Sequence, residues 1–148
     1  MNCKLQKLEE LGTPIMTGIV GAGQMGSGMI AQMAVMKGIR PAVVADINLP
    51  RAIEAYKTAG FSEGAFKVTN KLSEANDCLR QGKFVATEDP AVAVQAEAVQ
   101  AVVDATGVPD IGAKVAFDSI MNQKHMVELD KTSFIYKLRE MQDLLFKE

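Results

Sequence analysis

The chain has 148 residues, 48% hydrophobic and 23% charged, enough for one domain with a buried core. A formal net charge of −2, scattered Lys and Arg residues and 5% aromatics give no footing for nucleic acid. No apolar run approaches the ~18 residues of a membrane span, and a start carrying Lys4, Lys7, Glu9 and Glu10 is unlike a secretion signal. A cytoplasmic protein with no membrane partner is therefore expected, and Cys3 and Cys78 suggest neither a metal site nor a disulfide framework.

Leu5, Leu8 and Leu11 recur at helical spacing and predict a short N-terminal helix within residues 1–14, ended by Gly12 and Pro14. Residues 15–20 read as a strand, and 24–37 as a helix stopped by Gly38. Met25, Met29, Met33 and Met36 stripe that helix and are expected to pack on the core. Pro41 leads into Ala42, Val43, Val44 and Ala45, an apolar run typical of a buried parallel strand. Pro50 opens a second helix that reaches Gly60. Residues 61–69 read as a loop, and 71–81 as a polar helix with Leu72, Ala75 and Leu79 on one face.

Phe84, Val85 and Ala86 predict a third strand, after which Asp89 and Pro90 begin a brief helix. Residues 99–104 give a fourth strand, Pro109 starts a helix through Ile111, Val115, Phe117, Ile120 and Met121, and 125–127 form a fifth strand. This alternation predicts a doubly wound parallel α/β sheet, the Rossmann fold, as a single domain over residues 15–130. Phe134, Leu138, Met141 and Leu145 predict an amphipathic C-terminal helix within 131–148. Its apolar stripe needs a surface to cover, on its own domain or on a second copy in a homodimer.

The sequence Gly18-Ile19-Val20-Gly21-Ala22-Gly23-Gln24-Met25-Gly26 places G-x-G-x-x-G between the first strand and its helix. Such a loop suits a dinucleotide: Gly21 turns tightly, Gly23 lets pyrophosphate approach the backbone, and Gly26 lets helix and strand pack closely. Free N–H groups at the helix start then face the phosphates. Asp46 closes the second strand twenty residues after Gly26, where a carboxylate can accept both hydroxyls of an adenine ribose. That role favours NAD over NADP; the alternative is an aspartate that caps the next helix. Arg51 could argue for NADP, but its place inside the helix reads as a solvated face, and Arg40 falls at the opposite sheet end.

Ala105, Thr106 and Gly107 follow the fourth strand on the same edge as the glycine loop. They are expected along the cofactor, against the alternative of a plain turn with Thr106 bonded to local backbone. His125, the only histidine, begins the fifth strand and so stands away from that edge. No acid–base pair, nucleophile arrangement or metal cluster can be assembled from spacing alone, and the catalytic residues stay unassigned.

With these residues placed, residues 18–26, the segment Val103-Asp104-Ala105-Thr106-Gly107-Val108-Pro109-Asp110-Ile111-Gly112 and the segment Asn122-Gln123-Lys124-His125-Met126-Val127 together resemble a known family. It is the amino-terminal NAD(P)-binding domain of the homoserine-dehydrogenase-like oxidoreductases. That family often carries a SAF domain and includes the enzymes like 1-deoxy-D-xylulose 5-phosphate reductoisomerase. The resemblance covers about residues 12–128. It implies cofactor contacts at Gly21, Gly23, Gly26, Ala105, Thr106 and Gly107, and it brings no catalytic residue; Ala22, Gln24 and Met25, within the same glycine loop, are expected to contact the cofactor too. The family continues into a substrate domain, whereas this chain diverges after about Glu128. Turnover by the chain alone is therefore not expected, and a catalytic partner chain is. A stand-alone NAD(H) sensor or regulatory subunit acting through a protein partner is the alternative.

Overall fold

β1 (Ile15–Val20) lies in the interior of the sheet, as its nearly unbroken apolar run predicts for a strand covered on both faces. The computed structural model describes residues 2–129, so the expected C-terminal helix at 131–148 lies outside the described residues. Six parallel strands make one sheet. Its order is β3 (Phe66–Val68), β4 (Phe84–Thr87), β2 (Ile39–Ala45), β1, β5 (Ala101–Asp104) and β6 (His125–Glu128). The chain builds from β1 toward β2 and the β3–β4 edge, then crosses back to lay β5 on the other side of β1. The carboxyl ends of β1, β2 and β5 thus meet at the topological switch point, where open α/β sheets bind ligands.

Side chains alternate across the strands and divide the core in two. Ile19, Val44, Ala86 and Val103 face α2 (Gln24–Val35) and α3 (Leu49–Thr58), whose Ile30, Met33, Ala52, Ala55 and Tyr56 are buried there. Val20, Val43, Val85 and Val102 face α4 (Leu72–Arg80), α5 (Pro90–Gln95) and α6 (Pro109–Met121), covered by Cys78, Leu79, Val92, Val94 and Val115. This is a Rossmann-like α/β domain. At the amino edge, α1 (Asn2–Glu10) is fastened by Glu9, which accepts the Gly38 N–H at 2.7 Å and pairs with Arg40. The Gly38 hydrogen bond, with help from Arg40, holds the Glu9 carboxyl below its ordinary pKa.

Tyr56 is fully buried, stacked on Phe66 at 5.0 Å, and its hydroxyl reaches the Pro41 and Val85 carbonyls at 2.8 and 3.1 Å. Burial pushes its phenol well above the usual pKa, so the proton stays and is shared between β2 and β4. Removing the hydroxyl leaves those carbonyls without it in a dry core. Tyr56→Phe should cost about 1–3 kcal/mol, read as a lower midpoint in denaturant with an unchanged slope. An unchanged midpoint would show that the hydroxyl adds nothing.

Several sequence expectations shift. Residues 61–69, expected as a loop, contain a 3₁₀ turn at Glu63–Ala65 and the edge strand β3, so the sheet has six strands rather than five. β3 escapes a pattern search because it is three residues long, with only Phe66 buried. Pro41 lies inside β2 rather than before it, and the pairing with β1 shifts register between Thr17 and Gly18, opposite Pro41 and Val43. A proline supplies no N–H to the ladder, and an irregularity there absorbs the loss. The strand expected over 99–104 begins at Ala101, and the helix expected over 24–37 ends at Val35. Met33 joins the core as expected and Met29 packs against it, but Met25, at the helix's first turn, is 63% exposed.

Candidate functional site

β1 ends at Val20 and the chain must turn at once over the switch point. Gly21 makes that turn with φ 97°, a conformation that side chains resist, and its N–H donates to the Ala45 carbonyl at 2.8 Å. A Cβ on Gly21 would lie 2.8–2.9 Å from Ala105 and Thr106 backbone atoms, so the loop threads between the ends of β2 and β5. Gly26 completes the fit: a Cβ there would stand 1.9 Å from the Gly21 carbonyl oxygen. Gly23 differs, with an ordinary φ of −71° and no atom within 4 Å of where a Cβ would stand. Space is left open beside its backbone.

Gly23 is also the N-cap of α2, and no side chain caps that helix. The Ser27 N–H donates to the Gly23 carbonyl, so the N–H groups of the turn before it are the helix's open donors. With the positive end of the helix dipole they form a cradle for an anion. A dinucleotide's pyrophosphate fits such a cradle.

Asp46 follows β2 and is 8% exposed. Its Oδ2 accepts the Ala22 N–H at 2.8 Å and its Oδ1 accepts the Asn48 N–H at 2.8 Å. Asp46 thus pins the glycine loop to the β2–α3 turn. The helix cap of α3 is Asn48, so Asp46 braces the turn ahead of the helix rather than capping it. Each carboxylate oxygen keeps a second acceptor site, and Asp46 lines the cleft. Thr106 shows a similar double aspect. Its N–H donates to Asp104 Oδ1 at 3.0 Å and its hydroxyl oxygen accepts the Val108 N–H at 3.2 Å. The hydroxyl proton remains available to a ligand.

These pieces surround a cleft of about 490 Å³ along the carboxyl edge. Gly21, Gly23, Asp46, Ala105 and Thr106, all expected from sequence as cofactor contacts, line it. Ala22, Gly23 and Gln24 line a neighbouring hollow, whereas Gly26 is buried against Gly21, Met25 is exposed, and Gly107 occupies an exposed turn with φ 65°. His125 and Arg40 sit at the amino ends of β6 and β2, far along the strands from this edge, as expected.

Sequence reasoning missed the charged wall opposite the glycine loop. Asp110, Lys114 and Asp118, one turn apart on α6, line the cleft together with Asp89 at the start of α5. Asp89 Oδ1 caps α5 by accepting the Ala91 N–H at 2.9 Å. The i, i+4, i+8 spacing on α6 is the signal that could have found this wall. A second carboxylate group was also missed. Asp104, 1% exposed, stands in register beside Glu128, and a Cβ on Gly112 would lie 2.4 Å from Asp104 Oδ2 and 3.2 Å from Glu128 Oε2. The glycine makes room for both acids.

No protein-family model and no curated protein matches the sequence. Solved structures do match the fold. The myo-inositol dehydrogenase of Lactobacillus casei, in complex with NAD(H) and myo-inositol, aligns with TM-score 0.64 and 15% identity, over 91% of this chain and 34% of that one. The scyllo-inositol dehydrogenase of Lactobacillus casei, with bound NAD(H) and scyllo-inositol, aligns with TM-score 0.58 and 15% identity, over 88% and 33%. An NAD binding oxidoreductase from Klebsiella pneumoniae gives 0.59 and 17%, over 88% and 31%. The chain spans about a third of the length of these proteins. At such identities the likeness is one of fold. Among the described residues no helix is long and apolar enough to cross a membrane.

Proposed function

We propose that the chain is the dinucleotide-binding domain of a nicotinamide-dependent oxidoreductase, with NAD(H) preferred over NADP(H). The observation that carries this reading is the glycine loop at the switch point: Gly21 hooked over β2 and β5, and an uncapped α2 aimed along the cleft. The NAD(H) in two of the similar folds supports it. Residues 21–26 hold the pyrophosphate, Asp46 accepts from the adenine ribose, and Ala105, Thr106 and Gly107 border the nicotinamide. When bound, the cofactor supplies a hydride donor or acceptor; the chain's own residues position it and exclude water.

Within that class we assign the chain to the homoserine-dehydrogenase-like group. Support comes from the placement of its motif residues, with 103–112 forming the β5–α6 turn beside the cleft and 122–127 leading into β6. In this reading residues 1–14 are an N-terminal arm, 15–130 the cofactor domain and 131–148 a separate C-terminal segment. Substrate and catalytic groups come from another domain or a partner chain. A homodimer belongs to the same proposal, supported by Phe117, Ile120 and Met121 exposed together on α6.

Asp46→Ala tests the cofactor preference. Loss of charge-assisted bonds to the ribose should cost about 1.5–3 kcal/mol, or about tenfold to a hundredfold in NADH affinity by calorimetry. The gap to NADPH should narrow. A thermal melt of the same variant separates this from the lost braces to Ala22 and Asn48. Equal affinity of the unmutated chain for both cofactors would remove the role given to Asp46.

A further inference from the structure

The two faces of the sheet are covered unequally. On one face α4, α5 and α6 together lie over every strand from β3 to β6. On the other, α2 lies over β1 and β2 and α3 over β2 and β4, so among the described residues no helix sits over β6. Alternation along β6 turns Met126 into the α6-side core and Val127 toward this open face, where it is 46% exposed.

Methionines border the open strip. Gln24 and Ser27 face α3 across a hollow of about 500 Å³, closed from α3 by Glu54, Thr58 and Arg51, which also lines the cleft. At about 100° per residue, Met25, Met29 and Met36 fall on the flank of α2 away from α3. Met25 is 63% exposed, and Met29 is only partly buried. The chain itself enters this strip. Leu129, next after β6, packs against the α2-side core, and its N–H donates to the Asp104 carbonyl at 3.3 Å. β6 ends at the carboxyl edge, where α2 begins and Met25 stands.

Beyond this point Phe134, Leu138, Met141 and Leu145 repeat at helical spacing. A helix over 131–148 would be about 27 Å long, against about 18 Å for α2. We propose that residues 131–148 dock as a helix on their own domain, in the strip between α2 and β6. Phe134, Leu138, Met141 and Leu145 then close over Met25, Met29 and Val127. Stripe and strip are both apolar and adjacent in the chain, and flexible thioethers adapt readily to such a neighbour. Docking here sets the segment beside the first turn of α2, next to the glycine loop. It leaves Phe117, Ile120 and Met121, on the opposite face of the sheet, as the surface open to a second copy.

Methyl-¹³C methionine labelling of the full chain tests this with or without cofactor, because the strip carries its own probes. Nuclear Overhauser contacts should join the Phe134 ring and the Met141 methyl to the methyls of Met25, Met29 or Met36. They should be absent from an isotope-filtered spectrum of mixed labelled and unlabelled chains, which passes only contacts between copies. Leu138→Asp should abolish them and shift the Met25 and Met29 methyls while leaving Met121 unmoved. Contacts to Met121 instead, contacts only between copies, contacts that survive Leu138→Asp, or none in the folded full chain would overturn the docking.

Discussion

Replacing Gly26 with alanine should damage this domain more than any other single methyl group in the glycine loop. The new carbon would stand 1.9 Å from the Gly21 carbonyl oxygen, a backbone atom fixed by the turn at φ 97°. Neither partner can rotate away, so α2 must lift off β1 and Ala105. Overpacking in a rigid site costs about 1–3 kcal/mol and occasionally more; a backbone collision belongs at the upper end. For a chain of 148 residues that lowers the melting temperature by on the order of 10 °C. Helix propensity works the other way by about 1 kcal/mol, since Gly26 is helical and alanine is the better helix former. The clash should win. A melting temperature equal to that of the unmutated protein would mean that α2 and β1 are packed more loosely.

The complementary substitution is Gly23→Val, whose largest effect should fall on binding and not on folding. Gly23 has φ −71° and no atom within 4 Å of where a Cβ would stand, so a side chain there starts into open space. What it fills is the approach to the α2 N–H groups. Cofactor affinity should fall by about a hundredfold or more, the loss of two or more charge-assisted hydrogen bonds, while the melting temperature changes little. Near-normal NADH affinity in the folded variant would place the phosphates elsewhere.

Much of this architecture was legible because its causes are local. Apolar runs with glycine or proline at their ends gave β1 its bounds as observed and placed α3, α4, α5 and α6 to within a few residues. The glycine loop was readable for the same reason: each glycine answers a demand made within a few residues or by the adjoining strand. What escaped depends on register and helix phase. β3 is three residues at the sheet's edge, too short for any period to emerge. Pro41 stands within β2 because a shift in the pairing absorbs it, and that is a property of two strands together. Asp104 and Glu128 meet only through the pairing of β5 with β6, and Asp110, Lys114 and Asp118 reach the cleft only through the roll of α6. Arg51 illustrates the same limit, since its place in a helix was visible but the two hollows it separates were not. Asp46 is expected from sequence in a ligand role, and its bonds to the Ala22 and Asn48 N–H groups show a bracing role that only the folded loop reveals.

Every role proposed for this domain requires a dinucleotide to enter the carboxyl-edge cleft at the glycine loop. An NADH titration of ¹⁵N-labelled protein, followed through the backbone amide resonances, tests that entry at the site itself. Saturable shifts should concentrate at residues 21–26, at Asp46 and at Ala105, Thr106 and Gly107, with His125 and Arg40 at the opposite sheet edge undisturbed. Absence of saturable shifts in the folded protein, or shifts gathered at the amino edge of the sheet, would contradict it.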